Sequence, residues 1–352
     1  MIRRGWVLVT DGGSGQGRSA LAAVRALAAW GYKVAVTVSG NHSLAAASRH
    51  CGRRVPVAAV SDASRYKQAI LKETRSRPYL TVMATSDSAL LALGAPVKHF
   101  VDKTLLGKRA READLETPST QLFGSVSELL EAGSPFGFPI VMKPVVSRWP
   151  AVCVGTMEEV RQLLQGADTP VLVQPYLQEN LRAVAGVMWR GELAAVSHQR
   201  YFRTWPVSCG TASAAETVEP DLELETKMTK LLSGYDGIFQ AQLAGDNLLD
   251  LNPRPYGSMP LAARAGANLP GILCDLLHGV EYSRVRAKPG VFYRWTEGDL
   301  RHLFEDLRRG RTGPREVLEA FRPRRRAAHS TESLKDPRPM FTRLVYALSR
   351  NA

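Results

Sequence analysis

The sequence predicts an α/β protein that opens as a doubly wound parallel sheet and continues into further subdomains. Three observations carry this. The first forty residues run as an apolar stretch, a glycine-rich turn, an Ala/Leu-rich helix and a second apolar stretch, the order that opens a parallel sheet. A length of 352 residues exceeds one ordinary core and predicts two or three subdomains. A hydrophobic content of 45% places the chain among folded globules.

The elements follow in order. Trp6 to Thr10 reads as a buried strand, Ala20 to Trp30 as a helix stopped by Gly31-Tyr32, and Lys33 to Val38 as the next strand. Between the first two lies Asp11-Gly12-Gly13-Ser14-Gly15-Gln16-Gly17-Arg18-Ser19. Its spacing approaches a Walker A loop, but Arg18 stands where lysine is required, and it also occupies the place of the third glycine of a dinucleotide fingerprint. A turn that binds an anionic group of a substrate is the better expectation. Further units are expected at Val55 to Val60 and Tyr79 to Thr85, with a helix from Ser64 to Arg75 between them. Ala84 to Ser88 then falls where a ligand crevice opens.

After Pro96 the character changes. A helix is expected from Thr104 to Ala113, an apolar strand from Phe138 to Pro144 that carries Lys143, a helix capped by Thr156 and Glu159, and a strand from Val171 to Leu177. Ala183 to Val196 reads as two strands about Arg190-Gly191-Glu192, followed by Arg200, Arg203 and the small-residue loop Cys209-Gly210-Thr211. Helices are expected from Leu222 to Leu232, Gly271 to His278, Leu300 to Arg309 and Met340 to Ser349.

One hairpin concentrates polar side chains. Gln240 to Leu243 and Leu248 to Arg254 flank the turn Ala244-Gly245-Asp246-Asn247. Asp250 and Asn252 share a strand face, with Leu249 and Leu251 on the other, and antiparallel pairing brings Gln242 beside them. One carboxylate, two amide oxygens and Arg254 suit a hard cation with a phosphate. A polar outer hairpin face remains the alternative.

Composition excludes other classes. No apolar run is long enough to span a bilayer, and the N-terminus lacks a signal-peptide core, so a cytoplasmic protein without membrane contact is expected. Cys51, Cys153, Cys209 and Cys274 form no CxxC pair and read as free thiols. The net charge of +13 is densest in arginines of the tail, including Arg322 to Arg326. No aromatic platform accompanies them, which disfavours nucleic acid, whereas an acidic ligand such as ATP suits the field.

Taken together, the order of these segments resembles the ATP-grasp superfamily, the ligases that include carbamoyl-phosphate synthetase, biotin carboxylase and D-alanine–D-alanine ligase. The resemblance implies an N-terminal Rossmann-like α/β domain over residues 1–96. An ATP-grasp domain would cover 97–290 with its small lobe at about 123–178, and a basic helical extension 291–352. It implies ATP and Mg²⁺, or Mn²⁺, as cofactors, with Lys103 and Lys143 on the phosphates. Gln174, Pro175, Tyr176 and Leu177 would hold adenine, with Glu179 toward the ribose. Gln242, Asp250 and Asn252 would hold the metal and Arg254 the transferred phosphoryl group. Arg200, Arg203 and Arg264 are candidates for the substrate carboxylate. Two departures stand out: Gln242 where many relatives have glutamate, and a loop, Val145 to Pro150, without the usual glycines. The implied reaction joins a small-molecule carboxylate to an amine through an acyl phosphate. Bicarbonate activation and a non-catalytic nucleotide-binding protein are the alternatives, and the tail is expected to dock on the body or on the partner of a homodimer.

Overall fold

The computed structural model describes residues 4–11, 16–147, 149–164, 169–322, 324 and 327–351. Residues 12–15 of the glycine-rich turn, Arg148, and part of the 322–326 basic cluster lie outside the described residues.

The N-terminal unit comprises β1 (Trp6–Val9), α1 (Arg18–Ala29), β2 (Lys33–Val38), α2 (Leu44–Ala47), β3 (Cys51–Pro56), α3 (Ala63–Ser76), β4 (Tyr79–Met83) and α4 (Asp87–Leu93). Its strands are parallel in the order β3-β2-β1-β4. Strand β1 is an unbroken apolar run because both its faces are covered. Val7 and Val9 pack with Val24 and Leu27 of α1, and Leu8 packs with Tyr66 and Ile70 of α3. Strand β3 begins at Cys51 rather than at the expected Val55. It is an edge strand whose Gly52, Arg53 and Arg54 face solvent, so it carries no apolar signal.

Two short helices, α5 (Lys98–Val101) and α6 (Leu106–Glu112), lead into a small lobe. It contains β5 (Gln121–Phe123), α7 (Val126–Ala132), β6 (Ile140–Pro144), β7 (Val152–Val154), α8 (Met157–Leu164) and β8 (Val171–Pro175). The antiparallel order is β5-β8-β6-β7. Strands β5 and β7 span three residues each, too short for a period to register in sequence.

The large sheet is built from β9 (Leu181–Trp189), β10 (Glu192–Trp205), β11 (Thr211–Thr217), β12 (Gly237–Ala244) and β13 (Asn247–Asn252), with α9 (Leu222–Leu231) packed against it. Helices α10 (Met259–Arg264) and α11 (Leu269–Leu277) follow. The chain then forms β14 (Val285–Arg286), β15 (Phe292–Arg294), α12 (Thr296–Arg308), α13 (Pro314–Ala320), β16 (Ala328–His329) and α14 (Arg338–Asn351). Among the described residues the order is β13-β12-β9-β10-β11-β15-β16, with β14 beside β10. Strand β10 runs on to Trp205, so Arg200 and Arg203 are strand residues rather than part of a connecting loop.

The C-terminal segment is helical at its end and also adds β15 and β16 to the large sheet. It docks on the N-terminal unit through buried Asp336, which accepts from Arg25 Nε at 2.9 Å, Ser48 Oγ at 2.7 Å and the Arg49 amide at 2.9 Å. Helix α14 meets the body through Arg343, bonded to Glu297, while Met340, Phe341, Leu344, Val345 and Leu348 stay exposed.

A second staple joins the N-terminal unit to α11. Asp275, 2% exposed, accepts from Arg4, from Trp30 Nε1 at 2.8 Å, and from the hydroxyls of Tyr32 at 2.6 Å and Tyr282 at 2.9 Å. Gly271 lets α1 and α11 approach closely, since a Cβ there would sit 2.4 Å from the Trp30 ring.

Candidate active site

Strands β12 and β13 pair antiparallel with Gln242 opposite Asp250 and Gln240 opposite Asn252. The register shifts after Gln242. This bulge corrects the expected alternation: Leu248 and Leu251 enter the core, and Leu249 instead borders a cavity. The cavity, of about 640 Å³, lies between the small lobe and the large sheet and includes Asp250, Asn252, Gln242 and Arg254 in its wall.

From the small lobe, β6 alternates so that Ile140 and Met142 fill the lobe's core while Val141 and Lys143 face the cavity. Lys143 is buried and donates to the Leu249 carbonyl at 2.9 Å. Burial lowers its pKa to about 8, against the opposing pull of Asp250. The Lys103 amide donates to the Val145 carbonyl at 2.9 Å, and its Nζ pairs with Asp250 Oδ1. Burial pushes the Asp250 carboxyl up, but Lys103 and Lys143 together hold it below the usual range. Gln174, on β8, is pinned by a 2.8 Å bond to Thr120 Oγ1, and Pro175, Tyr176 and Leu177 continue the wall.

Arg254 is held from two sides. Its Nε pairs with Asp87 Oδ1 at the start of α4, and Nη2 donates to Asn252 Oδ1 at 2.7 Å. The crevice after β4 thus reaches the site through Asp87, which orients an arginine. The sequence singled out that stretch without marking this residue's partner.

Other candidates lie elsewhere. Arg200 pairs with Glu216 at 3.0 Å, its direct cross-strand neighbour, and is largely exposed. Arg203 is bound to the buried carboxylate of Asp299 at 2.6 Å. Alternation turns Arg200 away from the face on which Tyr201 meets the cavity, and the bulge between Tyr201 and Arg203 breaks the period so that Arg203 leaves that face as well. Glu179 is exposed beside the β12–β13 turn, and Arg264 is exposed in the last turn of α10. Neither lines the cavity.

The wall also contains the small-residue loop Cys209-Gly210-Thr211 and Gln240, both marked in the sequence, and residues that sequence reasoning passed over: Tyr201, Trp205, Tyr256 and Trp295. Tyr201 Oη accepts from Gln240 Nε2 and Gln242 Nε2, each at 3.3 Å. Apolar runs and strand periods cannot mark them, because they converge from separate segments.

No group of three or more His, Cys, Asp or Glu able to hold a metal occurs among the described residues. The donors on hand are one carboxylate, Asp250, with the amide oxygens of Gln242 and Asn252. That set fits a hard divalent cation whose remaining ligands are phosphate oxygens and water.

Residues 167–298 match a family described as ATP-grasp in the biosynthetic pathway with Ter operon. No curated protein matches the chain by sequence. Solved structures share its fold. An L-amino acid ligase from Bacillus licheniformis aligns over 79% of this chain and 75% of its own, at 15% identity and a TM-score of 0.56. A carboxyaminoimidazole ribonucleotide synthase from Aspergillus clavatus, complexed with ATP, aligns over 80% of each chain at 14% identity and a TM-score of 0.62. The biotin carboxylase domain of a Hydrogenobacter thermophilus 2-oxoglutarate carboxylase, in complex with MgADP and bicarbonate, aligns over 81% of this chain and 73% of its own. Its identity is 11% and its TM-score 0.58.

Proposed function

We propose that this chain belongs to the ATP-grasp superfamily, a reading its matched segment and its fold support, and that it is an ATP-dependent carboxylate–amine ligase acting on a small-molecule acid. The observation that supports this reading is the environment of Asp250: a carboxylate on a cavity wall with Lys103, Lys143, Asn252 and Arg254 gathered around it.

In this reading Lys103 and Lys143 hold the ATP phosphates, and Gln174 with Pro175, Tyr176 and Leu177 borders the adenine. Gln242, Asp250 and Asn252 hold Mg²⁺, with Mn²⁺ as a substitute. The ion, when bound, neutralises phosphate charge. Lys103 leaves Asp250 for the phosphates as the nucleotide enters, and Lys143 regains its full charge beside them. Arg254, kept in place by Asp87, steadies the transferred phosphoryl group. A carboxylate oxygen of the acid attacks the γ-phosphorus and ADP leaves. An amine then attacks the acyl carbon of the resulting acyl phosphate, and inorganic phosphate departs. Phosphoryl transfer of this kind needs positioning and charge neutralisation more than a protein nucleophile. The division at residues 96 and 290, a cytoplasmic location and a homodimer belong to the same proposal. Sedimentation of the full chain checks the last.

The test is Mg²⁺-dependent ADP release against a panel of acids, amino acids and amines, with bicarbonate alone as a separate arm. If no acid stimulates turnover, and Asp250→Asn leaves MgADP affinity and basal turnover unchanged, the ligase reading is wrong. Turnover that needs bicarbonate and no amine would point to a carboxylase instead.

A further inference from the structure

Among the cations at the cavity, most are already neutralised by a carboxylate. Lys103 pairs with Asp250, Arg254 with Asp87, and Arg182 with Asp221 and Asp246. Lys143 is the exception at the nucleotide end. Arg18, which adjoins the wall at Thr211, Gly257 and Trp295 without being part of it, is the exception at the other end. It rises from the first turn of α1 and lays its guanidinium over the Trp295 ring at 3.7 Å. Its Nη1 donates to Tyr293 Oη at 3.0 Å and its Nη2 to Thr211 Oγ1 at 2.7 Å. Both partners are neutral hydroxyls, so the fork is oriented while its charge has no ion-pair partner among the described residues. Glu297, whose charge it senses, is taken up by Arg343 and Arg301.

The guanidinium lies against the wall itself. A Cβ at Gly257 would stand 3.1 Å from its central carbon, and Gly257, Thr211 and Trp295 all line the cavity. A second observation concerns the residue next to Gly257. The Tyr256 hydroxyl, on a residue 3% exposed that lines the cavity, has no hydrogen-bond partner among the described residues. An orphaned buried hydroxyl costs free energy unless a ligand satisfies it. Asp250 and the three residues that touch Arg18, namely Thr211, Gly257 and Trp295, line the same cavity.

Resting on the ligase reading above, we infer that the acid substrate carries two anionic groups. One is phosphorylated beside Asp250. The other docks on Arg18, with the Tyr256 hydroxyl as its second donor. Arginine suits this task because its planar fork meets a carboxylate bidentately while one face stays stacked on an indole. Trp295 and the Tyr293 hydroxyl hold the fork in place for such a charge-assisted bond.

The test uses the full chain with Mg²⁺ and ATP, and hydroxylamine as the trapping nucleophile for acyl phosphate. Succinate, glutarate, L-aspartate and L-glutamate are compared with butyrate, pentanoate, L-2-aminobutyrate and L-norvaline. The expected result is a di-acid at least tenfold better in kcat/KM than its mono-acid counterpart. Arg18→Gln should erase that preference and lower di-acid kcat/KM about 100-fold, with Arg18→Lys restoring part of it and MgADP affinity retained. Tyr256→Phe should raise the di-acid KM about tenfold, which keeps the test open if Arg18→Gln fails to fold. Equal use of mono- and di-acids, or an Arg18→Gln loss of the same size for both, overturns the Arg18 assignment while leaving the ligase reading standing. Absence of hydroxamate with every acid, together with no MgADP binding, sinks both.

Discussion

Two aspartates, the buried Asp275 and the half-buried Asp250, each pair with a cation, and they do opposite things. Asp275 has both oxygens saturated: Arg4 reaches both, Tyr32 adds a donor to one, and Trp30 and Tyr282 add donors to the other. Burial alone would push its pKa up, but these donors hold it down to about 2. It is not part of the cavity wall and joins two units of the fold. Asp250 has Lys103 on one oxygen and only a 3.3 Å bond from Asn252 Nδ2 on the other. A second lysine stands nearby without an ion pair, and the carboxylate opens onto the cavity. A carboxylate whose bonding capacity is filled by the protein is part of the scaffold. One left with spare capacity and surplus positive charge around it is arranged for something that arrives later. The same contrast separates Arg203, closed onto Asp299, from Arg18, oriented by hydroxyls alone.

The sharpest way to break the comparison is to neutralise each carboxylate in turn. Asp250→Asn should reduce acid-dependent ADP release by more than about 100-fold. It should cost less than about 1 kcal/mol of stability, because water in the open cavity rehydrates the lysines. Asp275→Ala should do the reverse. Its loss leaves Arg4 and three further donors without their acceptor and should cost about 3–5 kcal/mol in denaturant unfolding, with MgADP affinity retained. A variant in which Asp275 proves neutral for stability would remove the distinction drawn here.

Acid unfolding tests the same point on a smaller scale. The folded pKa of Asp275 lies below its unfolded value of about 3.9. Its contribution, about 2 kcal/mol, is therefore complete above that value and lost as pH falls toward about 2. Asp275→Asn should flatten that part of the stability profile. Asp336, also buried and filled by Arg25, Ser48 and Arg49, should behave likewise in direction, its carboxyl being held low by those donors against burial.

The smallest expected effect concerns the open end. Lys143 in the free protein is half neutral near pH 8, the value to which burial lowers it. Phosphate favours the charged form, so MgADP affinity should be full below that pH and fall by up to about tenfold per unit above it. Calorimetry in buffers of different ionisation enthalpy should show proton uptake on binding near pH 8. Lys143→Arg should abolish that uptake.

Much of the Asp250 end of the cavity was legible in the sequence. The alternation that puts Asp250 and Asn252 on one face, the strand that carries Lys143, and the Gln174 to Leu177 exit are local patterns a few residues long. The bulge after Gln242 was not legible, because one inserted residue shifts the partner strand without altering its composition. Arg200 and Arg203, expected at a substrate carboxylate, pair instead with Glu216 and Asp299 within the protein, partners that no local spacing announces.

By itself, then, the sequence determined the α/β opening, the order of the strands that carry Lys143, Gln174 and Asp250, and the hairpin that pairs Gln242 with Asp250. These rest on short-range periodicity, and a strand or helix imposes its period wherever the chain later goes. The tertiary structure alone decided that Arg18 stacks on Trp295, that Asp87 orients Arg254, and that Asp336 clamps the C-terminal segment onto α1 and α2. Each of those contacts joins residues more than a hundred positions apart. Which distant charges meet depends on how separate cores pack together, and nothing in the local spacing records that.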